Sequence, residues 1–420
     1  MKILMLTPYL PYPLLSGGQI RSYHLIRQMA QKHEITLFSL IKDESEKEYL
    51  PELKKYCKEV RVFKRSQKPF TFKNIVKAGL NTFTKQDYPF VVIRNFSKEA
   101  YEAVQNELAN HEYDLIHAET FYMMPHIPKT EIPTILVEQT IEYLGYESFA
   151  ERFSKAIKFF LKPLFNLDIE KIKKWEHFYW RSCDLLVTMS EEDKKFISRE
   201  LPKKRSIEVV ANGVDIDFFL EKKKQKEFKQ PTVLFVGTFK WLPNVEAAEY
   251  LAEKVWPLIR QKLPKAKLWI VGNAPTQEIY NLAKENSGIE ITGGIPDIRD
   301  AYAGAQILCA PVFSGKGTRY KILEAMATAT PIVATTTAVE GLSLKDGEQV
   351  LIVDSAEGLA AKCVSLLENN DLQSKLSRAG QEFVIKNYDW QTIGQKLDKV
   401  YREVGKCNKR EKVKNGERND

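Results

Sequence analysis

The segment APVFSGKGTRYKILEAMATATPIVAT (310–335) is the richest in groups that could do chemistry. A short apolar run ending at Ala310 leads into a loop with Gly315 and Gly317, and a helical pattern starts near Thr318. Glycines let a backbone approach a ligand closely, and the first turn of a helix offers unpaired N–H groups to an anion. Lys316, Arg319 and Lys321 crowd the same end. Positive charge there opposes the helix macrodipole, so helix stability does not explain it. A bound diphosphate would. Gly317, Lys321, Glu324 and Thr328 are spaced four, three and four apart, which puts them on one helix face. A carboxylate at Glu324 suits the hydroxyl pair of a ribose. A capped helix with a solvent-exposed Lys321–Glu324 pair explains the same residues equally well. The third glycine of a dinucleotide fingerprint is missing and G-x-x-x-x-G-K-[ST] is absent, so NAD and P-loop readings are weak.

Other candidates are thinner. Gly17-Gly18 opens a helical stretch over 19–31 and reads either as a second phosphate-facing helix start or as a plain loop pair. His117 ends the apolar run in YDLIHAET (113–120), a position expected to face a crevice, although a lone histidine is more often structural. The six histidines show no H-E-x-x-H or clustered spacing, and no G-x-S-x-G elbow is present, which argues against a metal hydrolase and a serine hydrolase. Asp215-Ile-Asp217 invites a metal–diphosphate reading of little weight. Residues 151–181 are basic and aromatic; they suit a helical hairpin packed on the domain and split by Pro163, or a face laid on a bilayer interface.

The elements that must position these residues are short apolar runs alternating with helical patterns from end to end. Thirteen such runs begin with Lys2–Leu6 and end with Val350–Val353. Continuous apolar strands between helices predict an α/β fold with parallel sheets covered on both faces, whose ligands sit at the C-terminal strand ends. At 420 residues, two domains are expected. The polar, Pro-ended run EKKKQKEFKQP (221–231) lies in the boundary region 205–231. With 44% hydrophobic and 11% aromatic residues the chain is not disordered. Its five cysteines are scattered without a C-x-x-C pair, so neither a disulfide framework nor a structural zinc site is supported. No stretch is apolar enough to span a bilayer, and prolines 8, 11 and 13 break the signal-like start. The net charge of +8 permits an acidic ligand or membrane surface without requiring either.

Taken in order, several segments resemble the retaining, family 4 glycosyltransferases of GT-B fold (glycosyl transferases group 1). They are the Gly17-Gly18 loop, DLIHAE (114–119), DLLVTMSEEDKKF (184–196), VVANGVDIDFF (209–219), VLFVGTFKWLPNVEAAEYL (233–251), AKLWIVGNAP (266–275), ITGGIPDIRDAYAGAQI (291–307), the glycine–helix segment and AVEGL (338–342). The match covers nearly the whole chain and is strongest to a subgroup with P-N-V and G-x-G-T-R-x-K-I-L-E-A-M-A motifs. The resemblance implies two Rossmann-like domains facing a central cleft. Residues 1–205, completed by a C-terminal helix at 388–405, would bind the acceptor, and 206–387 would bind the nucleotide-sugar donor. Apart from the resemblance, the polar and basic composition of 406–420 reads as a disordered tail, or as a basic tail drawn to a membrane. Glu324 matches the second glutamate of the family's Glu–seven residues–Glu motif, and the first falls at Lys316. The family's Arg and Lys after the strand that opens the second domain fall at Thr238 and Asn244. Diphosphate charge then has to come from Lys316, Arg319, Lys321 and Lys240. Gly17, Gly18, Gly237, Gly315, Gly317 and Thr318 complete the expected donor set, and His117 matches the region of the family's active-site histidine.

The implied activity is transfer of a hexose-type sugar from a nucleotide-diphosphate sugar to an acceptor hydroxyl, with retention, without a metal or other cofactor. By family analogy the acceptor is a glycan or lipid-linked molecule of polysaccharide or cell-envelope synthesis. No nucleic-acid partner is expected. The place of action is cytoplasmic, with contact to the inner, anionic face of a membrane left optional. Two rivals share the fold: a nucleotide-sugar epimerase, and a non-catalytic nucleotide-sugar-binding scaffold, which Lys316 in place of glutamate would suit.

Overall fold

A computed structural model describes residues 1–66, 87–150, 155–201, 205–222, 229–315 and 319–416. The chain divides into two compact units: Met1–Asn212 with Ile393–Asp420, and Gly213–Thr392.

The first unit is built on seven parallel strands: β1 (Lys2–Thr7), β2 (Glu34–Ile41), β3 (Glu59–Lys64), β4 (Leu115–Glu119), β5 (Thr134–Glu138), β6 (Leu185–Thr188) and β7 (Ile207–Val209), in the order β3-β2-β1-β4-β5-β6-β7. The register sets Met5 opposite both Leu37 and His117. Every residue of β4 and of β5 is buried, because helices cover both faces of a central parallel strand. That is why these strands read as unbroken apolar runs rather than alternating ones. Burying each Leu, Ile or Val contributes about 1.5–3 kcal/mol.

The second unit repeats the plan with six parallel strands: β8 (Thr232–Val236), β9 (Lys267–Val271), β10 (Ile289–Thr292), β11 (Ile307–Ala310), β12 (Ile332–Ala334) and β13 (Leu351–Ile352), ordered β10-β9-β8-β11-β12-β13. Among the described residues, all thirteen strands fall on the apolar runs of the sequence.

Six helices matter for function: α1 (Gly17–Met29), α2 (Lys155–Ser182), α3 (Leu242–Tyr250), α4 (Arg299–Ala303), α5 (Tyr320–Ala327) and α6 (Trp390–Gly416). Ser16 caps α1, its hydroxyl accepting from the Gln19 amide.

Three expectations shift. The division falls after Asn212 rather than after residue 205, because β7 pairs with β6 and completes the first sheet. Pro163 does not split the aromatic stretch; it lies exposed within α2, whose Trp180 is buried and whose Trp175 stacks on Tyr88 at 4.6 Å. Residues 151–154 lie outside the described chain. The last helix begins in the second unit, belongs to the first from Ile393 onward, and takes in most of the segment expected to be a disordered tail. Among the described residues, no helix is long and apolar enough to cross a membrane.

Candidate functional site

In the second sheet, β8 and β11 are neighbours although they are not consecutive, so the connections leave them towards opposite sides. Such a switch point leaves a crevice at the C-terminal strand ends. The loops there are tightly fitted. The Gly237 amide donates to the Val271 carbonyl at 3.0 Å, and a Cβ added at Gly272 would lie 1.6 Å from the Gly237 oxygen. A Cβ at Gly237 would meet Asn244 Cγ at 2.9 Å, and one at Gly315, whose φ is +91°, would meet Pro243 Cγ at 2.9 Å. Glycine is therefore required where the β8 loop, the P-N-V turn of α3 and the loop after β11 converge.

Asn244 links these loops to the charged residues. Its Nδ2 donates to the Thr238 carbonyl at 2.9 Å, which fixes its Oδ1 to accept from Lys321 Nζ at 2.8 Å. The Lys321 ammonium also lies 4.4 Å from the centre of the buried Phe235 ring, within cation–π reach. Arg319 donates from Nη2 to the Gly315 carbonyl at 2.7 Å, and its Nε is buried with no partner among the described residues. Glu324 does not pair with Lys321. Its Oε2 accepts from the hydroxyl of the buried Tyr302 on α4 at 2.7 Å. The exposed Lys321–Glu324 pair is thus replaced by a half-buried cluster in which, among the described residues, neither Arg319 nor Lys321 forms an ion pair with a carboxylate.

Protonation follows from that burial. Loss of water, and then the Arg319 charge, push the Lys321 ammonium down to about 7, against the opposing pull of Glu324. Burial also lowers Arg319, with Glu340 acting the other way. Burial raises Glu324, opposed by the Tyr302 hydroxyl and by Lys321. The cluster has the character of a site short of negative charge. Lys316, Gly317 and Thr318 lie outside the described residues. Lys240 is exposed on the turn after β8.

The first sheet has its own switch point between β1 and β4. Gly17 and Gly18 begin α1 there. A Cβ at Gly18 would lie 2.0 Å from the Tyr9 hydroxyl oxygen, so any larger residue would have to push the phenol aside. From Tyr9 a chain of hydrogen bonds runs inward. The Tyr9 hydroxyl donates to Gln139 Oε1 at 2.9 Å, and Gln139 Nε2 donates to Glu119 Oε2 at 2.7 Å. Glu119 Oε1 lies 3.0 Å from His117 Nε2, and His117 Nδ1 lies 2.6 Å from the Tyr401 hydroxyl on α6. Burial would raise the Glu119 carboxyl, but the bond from His117, the Arg21 charge and Gln139 outweigh it and hold it low. An ionised Glu119 places a proton on His117 Nε2, and Tyr401, held protonated by burial, donates to Nδ1. His117 is 0% exposed. The sequence points to it as the catalytic histidine, yet both ring nitrogens are engaged, so its geometry fits positioning of Glu119 and Gln139 rather than contact with a sugar.

Arg21, also buried, donates to the Ala211 carbonyl at 3.0 Å and to Asn212 Oδ1 at 3.1 Å, anchoring the Asn-Gly-Val turn. Asp215 accepts from the Phe218 amide as a helix cap, a structural role for the D-x-D. Sequence reasoning missed Tyr302, Phe235, Gln139 and Tyr401. Each comes from an element remote in the chain from the residue it serves, and no spacing signals it.

The profile of glycosyl transferases group 1 matches residues 230–369, and that of glycosyltransferase family 4 matches residues 15–218. A phosphatidyl-myo-inositol mannosyltransferase of Mycolicibacterium smegmatis is 29% identical over 203 residues, which are 46% of this chain and 51% of that protein. The match therefore spans about half the length of that curated relative. An uncharacterised 44.6 kDa protein of the cps region of Klebsiella pneumoniae is 22% identical over 92% of this chain and 96% of its own. The solved sucrose-phosphate synthase of Thermosynechococcus elongatus superposes with a TM-score of 0.71 at 17% identity, covering 97% of this chain and 100% of its own, a likeness of fold.

Proposed function

Since the chain belongs to the glycosyltransferases, its first half matching glycosyltransferase family 4 and its second half glycosyl transferases group 1, we propose that it moves a hexose-type sugar from a nucleotide-diphosphate sugar to an acceptor hydroxyl with retention at the anomeric carbon. The observation that carries the donor half is the pair of half-buried cations, Arg319 and Lys321, without a carboxylate partner among the described residues, one helical turn from the Glu324 carboxylate. A nucleotide sugar matches that set. Its diphosphate supplies the missing negative charge, and its ribose offers hydroxyls to Glu324.

When the sugar leaves, charge develops on the nucleoside diphosphate. Arg319, Lys321 and the first amides of α5 meet it there. A preorganised donor of this kind is worth roughly 3–4 kcal/mol of barrier in a water-poor site. With those cations in place, the proposed reaction needs no divalent metal to carry that charge. The acceptor falls to the first unit, where Tyr9 and Gln139 stand at the strand ends. The phosphatidyl-myo-inositol mannosyltransferase relative supports a glycolipid or other lipid-linked acceptor.

The test is a panel of nucleotide sugars with and without glycan and lipid-linked acceptors, following release of nucleoside diphosphate. Release that depends on acceptor supports transfer. Conversion of the donor sugar without release indicates an epimerase. Binding without turnover indicates a scaffold, and no binding of any nucleotide sugar defeats the proposal.

A further inference from the structure

The second unit carries a cavity at the end of its sheet away from the donor crevice. Its volume is about 470 Å³, and it lies where β8, β9 and β10 begin. Small-molecule sites usually span roughly 300–1,000 Å³. Strand β9 is 5 residues long, so about 15 Å separates this end from the switch point. Among the described residues, Lys229, Arg260, Lys265 and Lys267 line the cavity, with Glu290 as the one carboxylate.

Glu290 pairs with Lys267, whose Nζ lies 2.5 Å from Oε2 and 5.0 Å from the centre of the Trp269 ring. Lys229, Arg260 and Lys265 have no carboxylate partner among the described residues. Arg260 is nevertheless held in place. It stands in the last turn of the helix Trp256–Lys262, and its Nη1 donates to the Pro264 carbonyl and, at 3.1 Å, to the Ala266 carbonyl. Gly288, at φ +79°, lets the guanidinium lie against the backbone, since a Cβ there would be 3.2 Å from both Cζ and Nε. The Trp256 indole fixes that turn by donating to the Ser287 carbonyl at 3.0 Å. The two carbonyls occupy both Nη1 protons. Nε and Nη2 remain, the edge of the fork that matches two oxygens of one phosphate. The helix macrodipole accounts for a cation in a last turn, as at Arg260. It does not account for Lys229 and Lys265, which lie outside any helix.

We propose that this cavity is a second anion site, separate from the donor crevice, that takes a phosphate ester. Arg260 grips two phosphate oxygens through Nε and Nη2, while Lys229 and Lys265 supply the rest of the positive charge. The inference does not depend on the donor reading. The phosphate of a soluble metabolite and that of a lipid headgroup present the same chemistry, and both lysines are exposed, so either can reach them.

The experiment is hydrogen exchange read by mass spectrometry on the full chain at fixed ionic strength. The probes are glycerol 1-phosphate and, separately, vesicles of phosphatidylglycerol or of phosphatidylcholine. Exchange over residues 263–268 and 286–290 is expected to slow with the phosphate ester or with phosphatidylglycerol, and not with potassium chloride or phosphatidylcholine. Slowing by glycerol 1-phosphate identifies a free phosphate ester as the ligand, and slowing by phosphatidylglycerol alone identifies a headgroup. Exposed charge pairs contribute little singly, so Lys229→Gln and Lys265→Gln together should raise the half-maximal probe concentration about tenfold. Neither lysine has a carboxylate partner to lose, so this double variant keeps the fold. Arg260→Lys keeps the charge but loses the fork, and should also cost about tenfold. Slowing with neither probe, slowing matched by chloride, slowing confined to the donor crevice, or slowing unchanged in both variants overturns the proposal and leaves the donor reading intact.

Discussion

Replacing Lys321 by methionine should change stability and binding in opposite directions. In the folded protein the ammonium is pushed down to about 7, whereas an unfolded lysine titrates near 10.4. The folded-state value is the lower one, so the charge costs stability. That cost is fully present below about 7 and fades as the pH rises towards the unfolded value. A tenfold weakening of proton affinity corresponds to about 1.4 kcal/mol, which sets an upper bound of about 4–5 kcal/mol. The side chain is only half-buried, and screening by solvent reduces this to about 1–2 kcal/mol. Methionine removes the cost but leaves Asn244 Oδ1 without its donor, a loss of about 1 kcal/mol that does not vary with pH. The stability of the variant relative to wild type should therefore be greater at pH 6 than at pH 9.5 by about 1–2 kcal/mol. For a unit of this size each kcal/mol moves Tm by about 2–4 °C, measurable by scanning calorimetry at both pH values. Nucleotide binding should weaken by about 10- to 100-fold, since a charge-assisted bond contributes about 1.5–3 kcal/mol. A stability difference that does not change with pH, together with unchanged nucleotide affinity, would refute both the desolvation argument and the place of Lys321 in the donor site.

Glu324→Gln should weaken nucleoside diphosphate binding by about tenfold and reduce the preference for ribose over deoxyribose nucleotides, both read by calorimetry. Tyr401→Phe leaves the buried His117 Nδ1 without its donor and should cost about 1–3 kcal/mol, seen as a lower urea midpoint at constant m-value. The attachment of α6 should loosen in acid. Burial tends to raise the Asp398 carboxyl, but Lys32, Arg402 and His33 outweigh it and hold it low, so its stabilisation is lost only as the pH falls through and below the ordinary carboxylate range. His33, lowered mainly by burial, acts in the same direction as it is forced to charge. Hydrogen exchange over residues 393–404 should accelerate there, and Asp398→Asn should remove much of the dependence. Gly18→Ala should displace Tyr9 from Gln139 and destabilise the first unit by about 1–3 kcal/mol.

The amino-acid sequence by itself determined the strands, the α/β class and the place of the donor loop. Parallel strands buried on both faces leave an apolar run that needs no partner to be recognised, as in β4, β5 and β8. A cation-rich helix start that opposes its own macrodipole is likewise local, so Arg319, Lys321 and Glu324 could be singled out from spacing alone. The tertiary structure decided which partners those groups have. Lys321 turns to Asn244 and Phe235 rather than to Glu324, and Glu324 turns to Tyr302, because separate strands and helices of one sheet end at the same crevice. His117 shows the other side of this. Its position at a strand end suggested chemistry, but only the folded chain brings Tyr401, from its last helix, against one ring nitrogen and Glu119 against the other. Spacing reports what shares one element; desolvation and pairing across elements, which set charge and access, exist only once the sheet and its helices have closed over them.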